Sequence, residues 1–190
     1  GLGKVAPSVA FSRFKGLPRS VFGTALAHAG LGLTTIGIVA VTTLETERIV
    51  AMEPGEVVEI HGYNLRFDSF RPFTGPNYTE DQARFVLTRV TGRQLGEIVS
   101  SKRFYTARQM PTTEAGIRTL GVSQLYVSLG DQTPNGKIVV RIWWKPMGTL
   151  IWLGALVMMI GGTVSLLDRR LRIGAPMPRK KAALAQGGQA

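Results

Sequence analysis

Residues 21–44 read VFGTALAHAGLGLTTIGIVAVTTL, twenty-four consecutive positions without Asp, Glu, Lys or Arg. At ~1.5 Å per residue this run makes a helix of roughly 36 Å, enough to cross a hydrocarbon layer about 30 Å thick with some tilt. Leu17-Pro18-Arg19-Ser20 leads into it, with Pro18 near the first turn and Ser20 placed as the N-cap. Gly23, Ala27, Gly30, Gly37 and the Thr34-Thr35 pair give one side small residues, a face that lets another helix approach closely. One ionisable side chain interrupts the run, His28, roughly 11 Å of helical rise from its start.

A second uncharged run follows at residues 147–167, MGTLIWLGALVMMIGGTVSLL, with Gly154, Gly161 and Gly162 again permitting tight packing. Two such runs predict a membrane protein with two transmembrane α-helices, at 21–44 and 147–167. The net charge of +11 is concentrated outside them. Residues 1–20 carry Lys4, Arg13, Lys15 and Arg19 without an acid, and residues 168–190 carry six basic residues against Asp168. The stretch between the runs is close to neutral. Basic outer flanks place both termini in the cytoplasm and residues 45–146 on the far side, the periplasm in a bacterium. They also explain the charge without nucleic acid, which is not expected as a partner.

Residues 1–20 read as a cytosolic loop, with Val9, Phe11 and Phe14 suited to the headgroup layer, and 168–190 as a basic, disordered cytosolic tail. The sequence starts at Gly rather than Met and carries no signal-peptide pattern, so it reads as the end of a longer membrane protein. With no cysteine it offers no disulfide, thiolate nucleophile or zinc knuckle.

From Glu45 to Pro146 short alternating segments are punctuated by turn signals, which predicts a small antiparallel all-β domain. Glu53-Pro54-Gly55-Glu56, His61-Gly62-Tyr63-Asn64, Gly75-Pro76-Asn77-Tyr78, Thr91-Gly92 and Thr133-Pro134-Asn135-Gly136 mark turns. Strands are expected at 57–60, 65–68, 84–89, 94–99, 102–105, 125–129 and 137–144. A sandwich and a barrel, the OB-like barrel included, both fit this pattern. Residues 110–117 are the least strand-like part, and there Thr112 or Thr113 is expected to cap a helical turn with Glu114 near its start. Trp143 and Trp144, before Lys145 and Pro146, read as interface anchors. His61 reads as an exposed turn residue. Lys102, Arg103 and Arg108 suit either a solvated face or carboxylates on a partner, haem propionates among them.

His28 is the candidate site residue, since an intramembrane imidazole marks function by default. A hydrogen bond to a neighbouring helix, an axial haem ligand and a proton relay all fit one histidine at this depth. The corresponding functional classes are a haem-handling protein, a non-catalytic membrane-anchored periplasmic domain that binds protein partners for assembly, and a transporter or channel subunit.

The order of several segments resembles the C-terminal part of the CcmF-type cytochrome c haem lyases. These segments are Leu26-Ala27-His28-Ala29-Gly30-Leu31-Gly32, Gly75-Pro76-Asn77-Tyr78, Lys102-Arg103-Phe104-Tyr105, Met110 to Ile117, Leu125 to Gly130, and Ile151 to Leu156 through Asp168-Arg169-Arg170. The resemblance runs from about Leu17 to Arg172. It implies a bacterial inner-membrane component of a cytochrome c maturation haem lyase that helps bind haem and deliver it to apocytochrome c for covalent attachment at CxxCH. It also implies a haem b in the bundle with His28 as one of two axial ligands to the iron, and a second ligand from outside this chain. Implied partners are the remaining transmembrane bundle of the lyase, a haem chaperone, apocytochrome c and thiol-handling maturation proteins. This sequence holds no second intramembrane histidine and no tryptophan-rich haem-handling segment; Trp143-Trp144 is followed by Lys145, not Asp. It is therefore expected to work as one part of the lyase rather than alone.

Overall fold

The computed structural model describes residues 18–107 and 109–168. The expected loop upstream of Pro18, Arg108, and the basic tail after Asp168 lie outside the described residues. Helix α1 (Arg19–Leu44) is followed by strands β1 (Thr46–Met52), β2 (Val57–Ile60), β3 (Tyr63–Thr74), β4 (Tyr78–Arg89), β5 (Gln94–Tyr105), β6 (Met110–Glu114), β7 (Gly116–Leu120), β8 (Ser123–Gln132) and β9 (Ile138–Lys145), then helix α2 (Thr149–Leu166). The described residues form two compact units, one within residues 34–152 and one of the flanking segments 18–33 and 153–168.

In the flanking unit the outer parts of α1 and α2 run side by side along their glycines. Gly23 and Gly30 lie seven residues apart on α1, and Gly154 and Gly161 seven apart on α2. A Cβ added to Gly30 would fall 2.6 Å from the Met158 nitrogen and 2.7 Å from the Gly154 oxygen; one added to Gly161 would fall 2.7 Å from the Gly23 oxygen. Backbone meets backbone there, as small residues allow. The small-residue face expected from the sequence is this seam. The rest of each helix is apolar and exposed, with Leu31, Ile36, Trp152, Met159 and Leu166 all more than half accessible. Both helices are long and apolar enough to cross a membrane.

The start of α1 differs from expectation. The Pro18 carbonyl accepts hydrogen bonds from the amides of Val21 (3.1 Å) and Phe22 (3.3 Å), so Pro18 is the N-cap and Ser20 lies inside the helix. The Ser20 amide instead donates to Asp168 Oδ2 at 2.9 Å. A carboxylate at this position also complements the positive end of the helix dipole.

The second unit is a two-sheet antiparallel sandwich, which decides between the two architectures the sequence left open. One sheet has the order β1-β9-β8-β7 and the other β2-β3-β4-β5-β6. Alternation along the strands fills the space between them. Leu125, Val127 and Leu129 from β8 and Ile138, Val140 and Ile142 from β9 face Leu65 and Phe67 from β3, Phe85 and Leu87 from β4, and Ile98 from β5. The Phe67 and Phe85 rings stack at 4.9 Å. Full burial of such side chains contributes about 1.5–3 kcal/mol each, the main source of the domain's stability. The β2–β3 hairpin turns through His61 and Gly62, both with positive φ (46° and 78°), the geometry that matches strand twist in a two-residue loop.

Segments 102–105 and 110–117 correct the sequence reading. The former is the end of the long β5 rather than a separate strand. The latter contains no helical turn: Met110–Glu114 pairs with β5, and Gly116–Leu120 pairs with β8 in the other sheet. Two adjacent threonines favour a pleated surface, and Pro111 is tolerated because β6 is an edge strand. Strand β1 was likewise not marked in the sequence; it pairs with β9 from Thr46↔Trp144 to Met52↔Ile138.

The sandwich has two ends. The helix-side end holds Thr46, Tyr63, Arg89, Leu120 and Trp144, and Thr149 at the start of α2 bonds through its amide to the Val122 carbonyl at 3.2 Å. The far end is made by the β3–β4 turn at Gly75–Tyr78 and by the β5–β6 connection after Tyr105.

Candidate functional site

His28 sits on α1 about 140° around the helix from Gly23, by the ~100° that each residue turns. It therefore does not share the seam with α2, and its side chain is exposed in this chain. Its Nδ1 lies 2.8 Å from the carbonyl oxygen of Thr24. A carbonyl can only accept, so in the neutral ring Nδ1 carries the proton and Nε2 keeps its lone pair. Leu31 borders the imidazole on one side, and Ala25, Ala29 and Gly32 on the other. A Cβ at Gly32 would meet nothing within 4 Å. The result is an oriented nitrogen donor on an apolar helix face with small neighbours, a donor chemistry that suits a haem iron.

The other histidine serves the sandwich. His61 stacks on Trp144 at 5.1 Å, and its Nε2 lies 3.1 Å from Thr46 Oγ1. Trp144 also stacks on Tyr63 at 5.5 Å and packs against the core. His61 is thus the exposed turn residue expected, with a packing role added, while Trp144 closes the helix-side end of the sandwich.

The motifs of the far end converge. Glu80 and Arg103 face each other across β4 and β5, and Thr112 follows on β6. Glu80 is buried on the outer face of its sheet, with a side chain only 4% exposed. It accepts hydrogen bonds from Ser101 Oγ (2.7 Å), Arg103 Nε (3.0 Å) and Gln82 Nε2 (3.3 Å). Arg103 also reaches the Tyr105 hydroxyl at 3.3 Å and Glu114 at 3.4 Å, and lies over the Tyr78 ring. Burial pushes the Glu80 carboxyl up, but the hydrogen bonds from Ser101 and Arg103 and the adjacent positive charge outweigh it, so it titrates below its ordinary value. Lys102, on the opposite face, pairs with Asp131. Of the three cations read from the sequence as suiting either a solvated face or a partner's carboxylates, the two described ones have carboxylates within the chain. Little in the sequence marks the Glu80–Arg103 pair, because its two members lie 23 residues apart.

Two apolar helices bracketing a two-sheet antiparallel domain define a class of helix-flanked β-sandwich proteins. Residues 43–146 match the family model described as the CcmF C-terminal beta-sandwich. The chain is 65% identical over 96% of its length to the cytochrome c-type biogenesis protein CycK of Rhizobium meliloti, and 38% identical over 92% to the cytochrome c-type biogenesis protein CcmF of Pseudomonas aeruginosa. Among solved structures it is similar in fold to a cytochrome c heme lyase CcmF, with a TM-score of 0.63 and 16% identity over 78% of this chain and 25% of that one. The chain belongs to the CcmF family of cytochrome c-type biogenesis proteins. It spans about a quarter of the length of the curated relatives it matches.

Proposed function

We propose that this chain is the C-terminal part of a cytochrome c maturation haem lyase and supplies one wall of the transmembrane bundle that holds a haem b. The observation that carries this reading is the 2.8 Å hydrogen bond from His28 Nδ1 to the Thr24 carbonyl, which fixes the ring and turns Nε2 outward. His28 is the axial ligand this chain provides; the second comes from the remainder of the bundle. When bound between two imidazoles, a b-type haem supplies a one-electron couple at fixed depth. Thr24 holds the tautomer, and the apolar neighbours keep water from the nitrogen. In this proposal α1 and α2 cross the bacterial inner membrane, both termini are cytoplasmic, and residues 45–146 stand in the periplasm. There the sandwich serves as a rigid platform for the haem chaperone, apocytochrome c and thiol-handling proteins during attachment at CxxCH.

The test uses the full-length protein carrying its own upstream bundle, with wild type and His28→Ala purified in parallel. The variant is expected to lose the bis-imidazole b-type visible spectrum while purifying in wild-type yield as a monodisperse species, its melting point lowered only by the missing haem. An unchanged spectrum overturns the ligand assignment. These 190 residues hold no cysteine, so Asn135→Cys, placed in a full-length protein whose upstream cysteines have been replaced, gives a single label at an exposed turn. Its modification by an impermeant reagent from the cytoplasmic side alone would overturn the orientation.

A further inference from the structure

Three arginines line one cleft of about 470 Å³ at the helix-side end of the sandwich: Arg89 at the end of β4, Arg93 just before β5, and Arg118 in β7, with Tyr63 and Gly121. None of the ion pairs among the described residues includes any of the three, whereas Arg66, Arg84 and Arg103 each have a carboxylate. The backbone is shaped around one of them. Gly96 has φ +127°, and a Cβ there would lie 2.9 Å from Arg118 Nη2, so glycine clears the space in which that guanidinium lies. Arg118 also donates to the Leu95 carbonyl, and Arg89 lies 5.8 Å from the centre of the Tyr63 ring. Three uncompensated cations in one concavity repel each other unless an anion enters. Guanidinium forks match the oxygens of a phosphate.

The surroundings of the cleft point to the source of that phosphate. The β7–β8 turn that closes it is tied to the start of α2: the Thr149 amide donates to the Val122 carbonyl at 3.2 Å, and Thr149 Oγ1 to the Gly121 carbonyl at 3.4 Å. Val90 and Val122 sit at the tips of the turns beside the cleft and are 55% and 52% exposed. Apolar tips next to cations, at the point where the chain enters an apolar helix, are the composition of a surface that rests in the headgroup layer. We propose that Arg89, Arg93 and Arg118 form a phosphate site for the headgroup of an anionic phospholipid, with Val90 and Val122 entering the acyl boundary beside it. This rests on the reading that the helices cross a membrane, and it holds whichever side the sandwich faces.

The experiment is native mass spectrometry of the full chain in mild detergent, titrated with phosphatidylglycerol or phosphatidylcholine. Wild type is expected to retain phosphatidylglycerol preferentially. Arg93→Gln, on an exposed turn, should weaken that retention about tenfold, and R89Q/R93Q/R118Q should abolish the preference, as loss of charge-assisted bonds implies. Arg93→Gln keeps the test valid should the triple variant fold poorly through loss of the Arg118–Leu95 bond. Equal retention of the two lipids by wild type, or unchanged preference in Arg93→Gln and the triple variant alike, overturns the proposal. Displacement of the lipid by millimolar inorganic phosphate, with phosphate itself binding, assigns the cleft to a soluble anion and overturns the lipid source. Alkaline extraction separates the two layers of the argument. A wild-type chain that stays in the membrane but shows no lipid preference overturns this site alone, and one that is extracted overturns the membrane reading with it.

Discussion

The guanidinium of Arg103 lies 4.1 Å from the centre of the Tyr78 ring while its Nε bonds to buried Glu80 at 3.0 Å. This pair fixes the far end of the longer sheet, where β4 and β5 run past the core, and gives the fold a defined acid sensitivity. The Glu80 carboxyl titrates below its ordinary 4.5, so its stabilising contribution is complete above that value and is lost as pH falls through the lower folded one. Glu80→Gln is expected to lower the thermal midpoint at neutral pH and to flatten the acid limb of the stability curve below about pH 4.5. Thermal unfolding of the full chain in detergent at a series of pH values checks it; parallel curves for wild type and variant refute it.

Two glycines two residues apart, on opposite faces of α1, are expected to respond differently. Gly30→Ala drives a methyl group into the Met158 backbone and should cost about 1–3 kcal/mol, as overpacking does. Gly32→Ala meets open space and should change stability little. Unfolding in mild detergent distinguishes them.

The same open space has a functional corollary. Gly32→Leu is expected to leave the helix pair intact while lowering haem content of the full-length protein, because a branched side chain would stand beside the imidazole. Haem quantified per protein after purification, beside a melting curve, gives both numbers. Wild-type haem loading would argue that the His28 face is used for something else.

Within the sandwich, Phe67→Ala removes a fully buried ring stacked on Phe85 and should destabilise by about 3–5 kcal/mol. Gly62→Ala places a side chain at φ 78° and should cost about 1–2 kcal/mol. Denaturant titration of the full chain measures both.

The parts of this fold that local sequence encodes were readable in it. Two uncharged runs announce the helices, Gly23, Gly30 and Gly37 announce the seam, and Gly62 and Gly136 announce hairpin turns. What escaped depends on distant partners. Residues 110–117 look irregular because Pro111 and Gly116 are poor strand residues in isolation. Only the edge position of β6 accommodates the first, and only the close approach of Ile98 and Val99 requires the second. The Glu80–Arg103 pair and the arginine cleft exist through strand register alone, and the bulge opposite Leu87 and Thr88, which shifts that register, is marked in the sequence by Gly96. For His28, its position along the helix is legible in the sequence and its direction is not; that direction, away from α2, comes from which face the glycines occupy.

The glycine seam also repeats like the teeth of a rack. Sliding one helix along the other by seven residues, about 10 Å, would set Gly37 against Gly154 and Gly30 against Gly161, seating two teeth again. The seam by itself cannot choose between these settings. The choice falls to contacts beyond it: the β1–β9 ladder starting at Thr46↔Trp144 ties the chain just after α1 to the chain just before α2, and the Ser20 amide meets Asp168 Oδ2 at the other ends, so the setting is chosen outside both hydrophobic runs.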